Sequence, residues 1–383
     1  MQEPNTSPVN DGRAPGSVGL FRLFGVPVRF HFTFWLLVIW LIFMGSEGTQ
    51  SIAGTALYVI GLFASVLLHE AGHALAARHF GIQTTEIVMM PLGGLAKLAR
   101  QPKPSEEFWV ALAGPMVNFV LGAGLLGWTY SQGGTVELSH WRASTDANLP
   151  GRLAVTNLVL AFFNLLPAFP MDGGRVMRSL LAAKRPIEDA TRLTARIGTV
   201  VAAAMGLYGL LNSNFIFIFF AFIVYVGATQ EVMATSAQAL MRGATVLDAM
   251  ITDFRTLQHG HSIRDAADLL LATSQQDFPV LSGEETVGLL NRTALLKAMA
   301  SEGPDSYVAG AMDRAFARLS PEMQLSEAAL MMGESGNCAL VFKREKLVGL
   351  LTGENLSEFL VLRKIRQSRG SAQGPDSGIE RNV

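Results

Sequence analysis

The ten residues LLHEAGHALA, at positions 67–76, place two histidines and a glutamate in a stretch that is otherwise apolar. His69 and His73 are four residues apart, so on a helix both imidazoles project from the same face. Glu70 lies beside them and completes the pattern H-E-x-x-H, in which two imidazoles bind a divalent metal and a carboxylate serves as general base. Histidines that only cap carbonyls at a helix end are the alternative, but they leave a buried charge without a partner, which is costly. The stretch therefore predicts a metal site that still needs a third ligand.

The composition indicates a membrane protein with a soluble part. Of the 383 residues, 50% are hydrophobic and 16% are charged, whereas about a quarter of the residues in ordinary soluble proteins are charged. The single cysteine, Cys338, excludes an intramolecular disulfide framework and an all-cysteine zinc site. The length allows two or three domains, and no cleavable signal peptide is evident. We expect residues 1–18, which are rich in Pro, Gly, Ser and Asn, to form a disordered tail.

Uncharged apolar runs are concentrated in the first 235 residues. A membrane-spanning helix needs about 20 mostly apolar residues, and shorter runs are extended by polar flanks. Buried helices of a large soluble core do not explain so many uncharged runs. Loops rich in Lys and Arg alternate with loops that are poor in them, so the positive-inside rule places both termini in the cytoplasm of a multi-pass inner-membrane protein. The six predicted spans are 32–44, 53–68, 108–128, 153–171, 197–211 and 215–230.

A candidate for the third ligand lies in NLLPAFPMDGGR, residues 164–175. Asp172 is a carboxylate at membrane depth, where ionisable residues are functional candidates. Pro167 and Pro170 prevent a regular helix, so we expect Asp172 on a bent, irregular segment with the following Gly-Gly pair in a tight turn. The second and fourth spans run in the same direction, which brings Asp172 near His73. Two histidines, one carboxylate and an open fourth position form a catalytic zinc arrangement.

After residue 240 the composition is that of a soluble α/β module with an internal repeat. Val246-Leu-Asp-Ala-Met250 corresponds to Val308-Ala-Gly-Ala-Met312, which sets the repeat at 62 residues (308 minus 246). Each copy predicts a helix, a strand, a turn, a V-G-L-L strand and a second helix, and such repeats pair to bury their apolar faces jointly. Residues after 366 are expected to form a loose tail.

The motifs in combination resemble the site-2 proteases, a family of intramembrane zinc metalloproteases. HEAGH, AGPMVN at 113–118 and NLLPAFPMDGG at 164–174 carry the resemblance, and the C-terminal repeat resembles a pair of CBS domains. The resemblance implies an all-α membrane fold, with six transmembrane helices and a zinc site, followed by a soluble α/β CBS pair. The expected domains are the membrane protease at 19–235 and the CBS repeats at 240–300 and 301–365.

The resemblance also implies a role for each residue of the site. His69, His73 and Asp172 would hold one zinc ion per subunit. Glu70 would take a proton from the attacking water and pass it to the leaving amine. Asn164 matches a family asparagine that binds substrate or steadies the oxyanion, and a helix-packing amide is the alternative.

Two further segments have a structural and a functional interpretation. In the family, the region that corresponds to residues 86–98 forms a membrane-level strand, which could unwind a substrate and pair with it; a cytoplasmic loop is the alternative. In AGPMVN, Gly114 and Pro115 indicate close helix approach, and we interpret the motif, including Asn118, as structural.

The CBS pair is expected to bind an adenine nucleotide weakly or not at all. CBS pairs that resemble this one hold a ribose with an acidic residue three positions after a Ser or Thr. In the second repeat the hydroxyl is present as Thr352, but Asn355 replaces the acid and lacks its charge. In the first repeat Asn291 and Ala294 occupy these positions. The alternative is that the pair only dimerises the enzyme or docks the cytoplasmic tail of the substrate.

Taken with the resemblance, the motifs predict a zinc-dependent endopeptidase that cuts single-pass membrane proteins near the cytoplasmic face, in regulated intramembrane proteolysis. Anti-sigma factors and membrane-tethered precursors are candidate substrates, membrane lipid and a second copy of the chain are candidate partners, and no nucleic acid is expected. One rival is a CBS-gated transporter or channel. A transport site does not require H-E-x-x-H in register with Asp-Gly-Gly, so the presence of both motifs argues against this rival. Another is a protease-like pseudoenzyme, against which the intact catalytic positions argue.

Overall fold

The computed structural model describes residues 17–45, 51–91, 93–133 and 148–372. Of the expected tails, residues 1–16 and 373–383 lie outside this part of the chain. The chain divides into two compact units between Ser236 and Ala237, where the sequence predicted a change of composition near residue 235. Each unit has its own core and is described by itself.

The first unit is mainly helical. The helices are α1 (Phe32–Gly45), α2 (Ile52–His79), α3 (Pro104–Ser131), α4 (Leu149–Asn164), α5 (Asp172–Ala182), α6 (Ile187–Leu211) and α7 (Phe215–Met241). Each of the six predicted spans overlaps a helix. Four helices of the described chain, rather than six, are long and apolar enough to cross a membrane, namely α2, α3, α6 and α7, whereas α1 is apolar but short and α4 has 16 residues.

The expectation that the membrane fold is all-α is wrong, because the first unit also contains a four-stranded sheet. The strands are β1 (Ser17–Leu23), β2 (Val26–His31), β3 (Thr84–Met90) and β4 (Gly93–Leu98). Their order is β1-β2-β3-β4, with β1 antiparallel to β2, β2 parallel to β3, and β3 antiparallel to β4. The region at 86–98, for which a strand and a loop are both expected alternatives, lies in the β3–β4 hairpin of the sheet.

The N-terminal hairpin of this sheet has an unusual turn. Phe24 and Gly25 connect β1 to β2, and both have positive φ, at 50° and 87°. Asn-Gly or Asp-Gly is the usual sequence signal for such a two-residue turn. Because an aromatic residue takes the place of that signal, the sequence does not reveal the hairpin. Ser17 and Val18 belong to β1 and not to the expected tail.

Glycines bring α3 close to two neighbouring helices. A Cβ atom on Gly72 of α2 would lie 3.0 Å from the carbonyl oxygen of Ala113, and a Cβ on Gly122 of α3 would lie 3.0 Å from that of Ala154 on α4. Small residues at helix interfaces allow this close backbone approach in membranes. Helix α3 is therefore packed between α2 and α4.

The second unit contains two copies of the predicted pattern of helix, two strands and helix. Each copy also has a short additional strand, which gives two three-stranded sheets of order β5-β6-β7 and β10-β9-β8. Helix α12 extends over residues 366–372, so the expectation of a loose tail is wrong for those residues. The elements are a short 3₁₀ helix (Val246–Asp248), β5 (Leu257–Gln258), α8 (Ile263–Ala272), β6 (Asp277–Ser282), β7 (Glu285–Asn291), α9 (Arg292–Ser301), α10 (Val308–Ala311), β8 (Ala317–Leu319), α11 (Leu325–Ser335), β9 (Cys338–Lys343), β10 (Lys346–Thr352) and α12 (Gly353–Ala372).

The two copies exchange their first segments. Ala244 and Val246, at the start of the first repeat, are buried in the core that contains Leu325 and Leu351 of the second repeat. Val308, at the start of the second repeat, is buried in the core of the first. The expected boundary at 300/301 therefore does not separate the two cores.

Candidate metal centre

Three buried side chains from two helices converge in the first unit. His69 Nε2 and His73 Nε2 lie 3.1 and 3.3 Å from Asp172 Oδ2, and the two Nε2 atoms lie 3.1 Å apart. Each residue offers one ligand atom, and all three atoms lie within 4.8 Å of one another. With neutral imidazoles these atoms present lone pairs to the same point, an arrangement that a shared cation stabilises. Two imidazoles and a carboxylate are ligands that suit zinc, so the donor set fits the metal that the sequence predicted.

The position of Asp172 differs from the expected one. The irregular, proline-containing segment ends at Met171, and Asp172 is the first residue of α5. Gly173 and Gly174 follow within the first turn of that helix, so they are not in a separate tight turn. A Cβ on Gly173 would lie 2.3 Å from the carbonyl oxygens of Leu165 and Leu166. The Gly-Gly pair therefore allows α5 to pack directly on the backbone that precedes it, which fixes Asp172 in place.

Helix α3 orients both imidazoles through their second ring nitrogen. His69 Nδ1 lies 3.1 Å from Asn118 Oδ1, and His73 Nδ1 lies 2.7 Å from the carbonyl oxygen of Val110. If each Nδ1–H donates to its oxygen, each Nε2 is left with a lone pair that points toward Asp172. The structural interpretation of Asn118 thus missed its contact with His69, although an amide in an apolar span was a signal. Val110 contributes only backbone, which no sequence motif reveals.

Two glycines leave room for the reactive side chains. A Cβ on Gly114 of α3 would lie 2.3 Å from His73 Nε2 and 2.7 Å from His69 Nε2. A Cβ on Gly94 of β4 would lie 2.3 Å from Glu70 Cγ and 3.0 Å from Glu70 Oε1. Gly114 thus confirms the close approach inferred from AGPMVN, and Gly94 places the edge strand β4 directly against the buried Glu70.

The remaining predicted site residues lie elsewhere. Asn164 is the last residue of α4 and is partly buried, and it is not a member of the three-residue cluster. In the second unit, Thr352 and Asn355 contact each other at the start of α12, and the Asn355 N–H donates to Thr352 Oγ1 at 3.2 Å. Asn291 accepts a hydrogen bond from the Ala294 N–H at 2.8 Å in the equivalent position of α9. Asn291 and Thr352 therefore act as helix caps in the structure.

Comparison with known proteins identifies the family. The sequence profile of peptidase family M50 matches residues 57–148 and 133–205. A zinc metalloprotease of Methanocaldococcus jannaschii is 34% identical over 274 residues, which cover 72% of this chain and 78% of the relative. The chain belongs to peptidase family M50. This membership confirms the resemblance to the site-2 proteases. The protein is a metalloprotease of family M50.

The CBS domain profile and a relative that matches most of the chain extend the comparison over the second unit. The CBS domain profile matches residues 246–301. The protein Rip3 of Mycobacterium tuberculosis is 26% identical over 387 aligned positions, which cover 92% of this M50 chain and 94% of Rip3. The solved site-2 protease of M. jannaschii is 38% identical, and the match covers 56% of this chain and 95% of that chain with a TM-score of 0.43. The M50 protease thus carries CBS sequence after its helical unit.

Proposed function

We propose that the chain is a zinc-dependent intramembrane endopeptidase that cleaves single-pass membrane proteins near the cytoplasmic face. The convergence of His69, His73 and Asp172 next to the buried carboxylate of Glu70 carries this proposal. A divalent metal held by these three ligands supplies Lewis acidity to a peptide carbonyl and to an attacking water. Family membership supports the protease activity, and the apolar helices support the membrane location.

In this proposal the side chains of the chain itself move the protons and orient the substrate. Glu70 accepts a proton from the attacking water and returns it to the leaving amine. Asn118 and Val110 hold the two imidazoles in one tautomer, so that no ring rotation is needed during the reaction. Asn164, at the end of α4, donates its amide to the substrate or to the developing oxyanion.

The edge strand β4 is the proposed docking edge for an unwound substrate. A transmembrane helix hides its carbonyls in internal hydrogen bonds, so cleavage requires an extended peptide. In the described sheet β4 pairs only with β3, which leaves its other edge available for a further strand. Because Gly94 of β4 lies against Glu70, a peptide that pairs along β4 would pass close to the general base.

The cellular setting is also part of the proposal. The alternation of basic loops supports an orientation with both termini in the cytoplasm. We propose that the protease acts in regulated intramembrane proteolysis, with a tethered precursor or an anti-sigma factor as the substrate. The CBS pair, whose helix caps occupy the expected ribose positions, then docks the substrate tail or dimerises the enzyme and binds an adenine nucleotide weakly or not at all.

Cleavage of a co-expressed, tagged candidate substrate tests the proposal. Glu70→Gln should abolish cleavage and keep zinc, because an amide cannot accept the proton but the three ligands remain. His69→Ala, His73→Ala and Asp172→Ala should each lose both zinc and cleavage. Zinc per purified protein and the ratio of cut to intact substrate are the two measurements. Cleavage by Glu70→Gln at the wild-type rate would contradict the assignment of the general base.

A further inference from the structure

A cleft of about 390 Å³ lies beside α2, on the face of that helix that turns away from the metal centre. Helical geometry places Ala71, Ala74, Leu75 and Arg78, which line the cleft, on roughly the opposite side of α2 from His69 and His73. The turn between β1 and β2 and the start of β3 form the other walls. The remaining lining residues are Leu23, Phe24, Gly25, Val26, Gln83, Thr84 and Ile87.

The cleft combines an apolar wall with two polar groups that suit a phosphate. Arg78 is exposed and is the one cation among the described residues that line the cleft. Thr84 Oγ1 is buried and has no hydrogen-bond partner among the described residues. A buried hydroxyl without a partner is uncommon, because its desolvation is not compensated. A guanidinium and a free hydroxyl are both suitable donors to a phosphate oxygen.

The β1–β2 hairpin adds an exposed apolar surface at the edge of the cleft. Val18, Leu20, Phe21 and Phe24 are exposed, Phe24 to 56%. Phe24 is a bulky residue in the left-handed region, where Asn would fit with less strain, so the aromatic ring is unfavourable for the turn itself. The next strand, β2, ends at His31, where the apolar helix α1 begins. An exposed apolar hairpin that is continuous with an apolar helix is suited to a lipid surface.

We propose that this cleft binds a phospholipid with an anionic headgroup. The phosphate accepts a hydrogen bond from Arg78 and, once rotation about χ1 turns the buried hydroxyl of Thr84 toward the cleft, a second one from Thr84. The acyl chains lie along Leu75 and the ring of Phe24. A lipid, rather than a free phosphate, uses the apolar wall and the apolar hairpin as well as the cation. The bound lipid thereby connects the sheet that carries Gly94 to the helix that carries Glu70.

Native mass spectrometry of the purified full-length protein, titrated with phosphatidylglycerol and with phosphatidylcholine, tests the proposal. Arg78→Gln and Thr84→Val should each lower the affinity for phosphatidylglycerol about fivefold. Phosphatidylcholine, whose choline cation cancels the phosphate charge, should bind the wild type more weakly and should lose less affinity in Arg78→Gln than phosphatidylglycerol does. Arg185→Gln is the matched control, because Arg185 is an exposed arginine that does not line the cleft, and it should bind as the wild type does.

Phe24→Asn separates lipid contact from folding of the hairpin. Asn-Gly is a preferred sequence for this turn, so the variant should form the hairpin at least as well as the wild type while it loses affinity for phosphatidylglycerol. Equal lipid affinity in Arg78→Gln and Arg185→Gln would overturn the proposal. Displacement of phosphatidylglycerol by millimolar inorganic phosphate would also overturn it, since that result would indicate a site for a soluble anion.

Discussion

Asn118 contacts His69 from outside the ligand set, and its removal should weaken metal binding without removing a ligand. Without the Asn118 oxygen, the Nδ1–H of His69 has no acceptor and the ring is free to change its tautomer and orientation. Asn118→Ala should therefore lower zinc affinity about 10- to 100-fold. Asn118→Asp, which keeps an acceptor at the same place, should retain most of it. The measurement is the zinc that each variant retains at increasing chelator concentrations. If Asn118→Ala retained as much zinc as the wild type, Asn118 would be only a packing residue.

Gly94 should be needed for catalysis and not for metal binding. A methyl group at this position overlaps Glu70 Cγ, so Gly94→Ala must displace either β4 or the carboxylate. A displacement of about 1 Å at a catalytic group can lower the rate about 100-fold. The zinc content should not change, because no metal ligand is among the atoms nearest to this Cβ. Gly124→Ala, at a site with open space, is the control and should cleave substrate at the wild-type rate.

Cys338 should be unreactive in the folded protein. Burial of the thiol, reinforced by the negative charge of Asp277, raises the pKa of Cys338 far above its ordinary value. The thiolate is the nucleophile, and a raised pKa reduces its fraction at every pH below that pKa. A maleimide should leave the native protein unlabelled at pH 7.5 and label it once after denaturation. Rapid labelling under native conditions would show that the second unit opens at β9.

At the scale of elements, one partly buried arginine connects three helices. Arg178 of α5 forms ion pairs with Glu107 of α3 and with Glu231 of α7, and its guanidinium lies 5.2 Å from the centre of the Phe169 ring. Phe169 lies in the irregular segment that leads to Asp172. Arg178 therefore holds α5 and the irregular segment, which together position Asp172, against α3. Helix α3 in turn orients both histidines.

Two Arg–Glu pairs that involve α3 allow a matched test of this connection. Arg178→Gln leaves Glu107 buried without its partner, and such a change typically costs about 3–5 kcal/mol. Arg100→Gln breaks the pair between Arg100 and Glu106. It should lower the stability much less, because the Arg100 side chain is 44% exposed and solvent screens the two charges. Thermal unfolding of the two purified variants measures the difference. Equal melting temperatures would show that the buried pair adds nothing to the packing of α5.

The elements differ in how far the sequence could predict them. The spacing of His69 and His73 determines their shared face, and Asp172 lies beside them, as the sequence predicted. The β1–β2 hairpin was missed because Phe24 replaces the residues that normally mark its turn. The carbonyl of Val110 could not be predicted, since any residue supplies the same group and only packing selects this one.

For the whole molecule, the charges of the loops predict the membrane topology. A reporter that is active only in the periplasm should be silent after residue 105 and after residue 240, and active after residue 140, because basic loops stay in the cytoplasm. Enzyme activity of each fusion, normalised to its amount, is the measurement. Periplasmic activity after residue 240 would contradict the six-span arrangement. It would also place the CBS pair on the other side of the membrane.

The exchanged first segments of the two repeats affect how the protein folds during synthesis. Val246 and Leu351 lie in the same core, but Leu351 is synthesised 105 residues after Val246 (351 minus 246). At about 5–20 residues per second, that core waits roughly 5–20 s for its last residues. The first repeat also waits, because its core includes Val308. The helices of the first unit are therefore synthesised, and available to the membrane, well before the second unit can complete either of its cores.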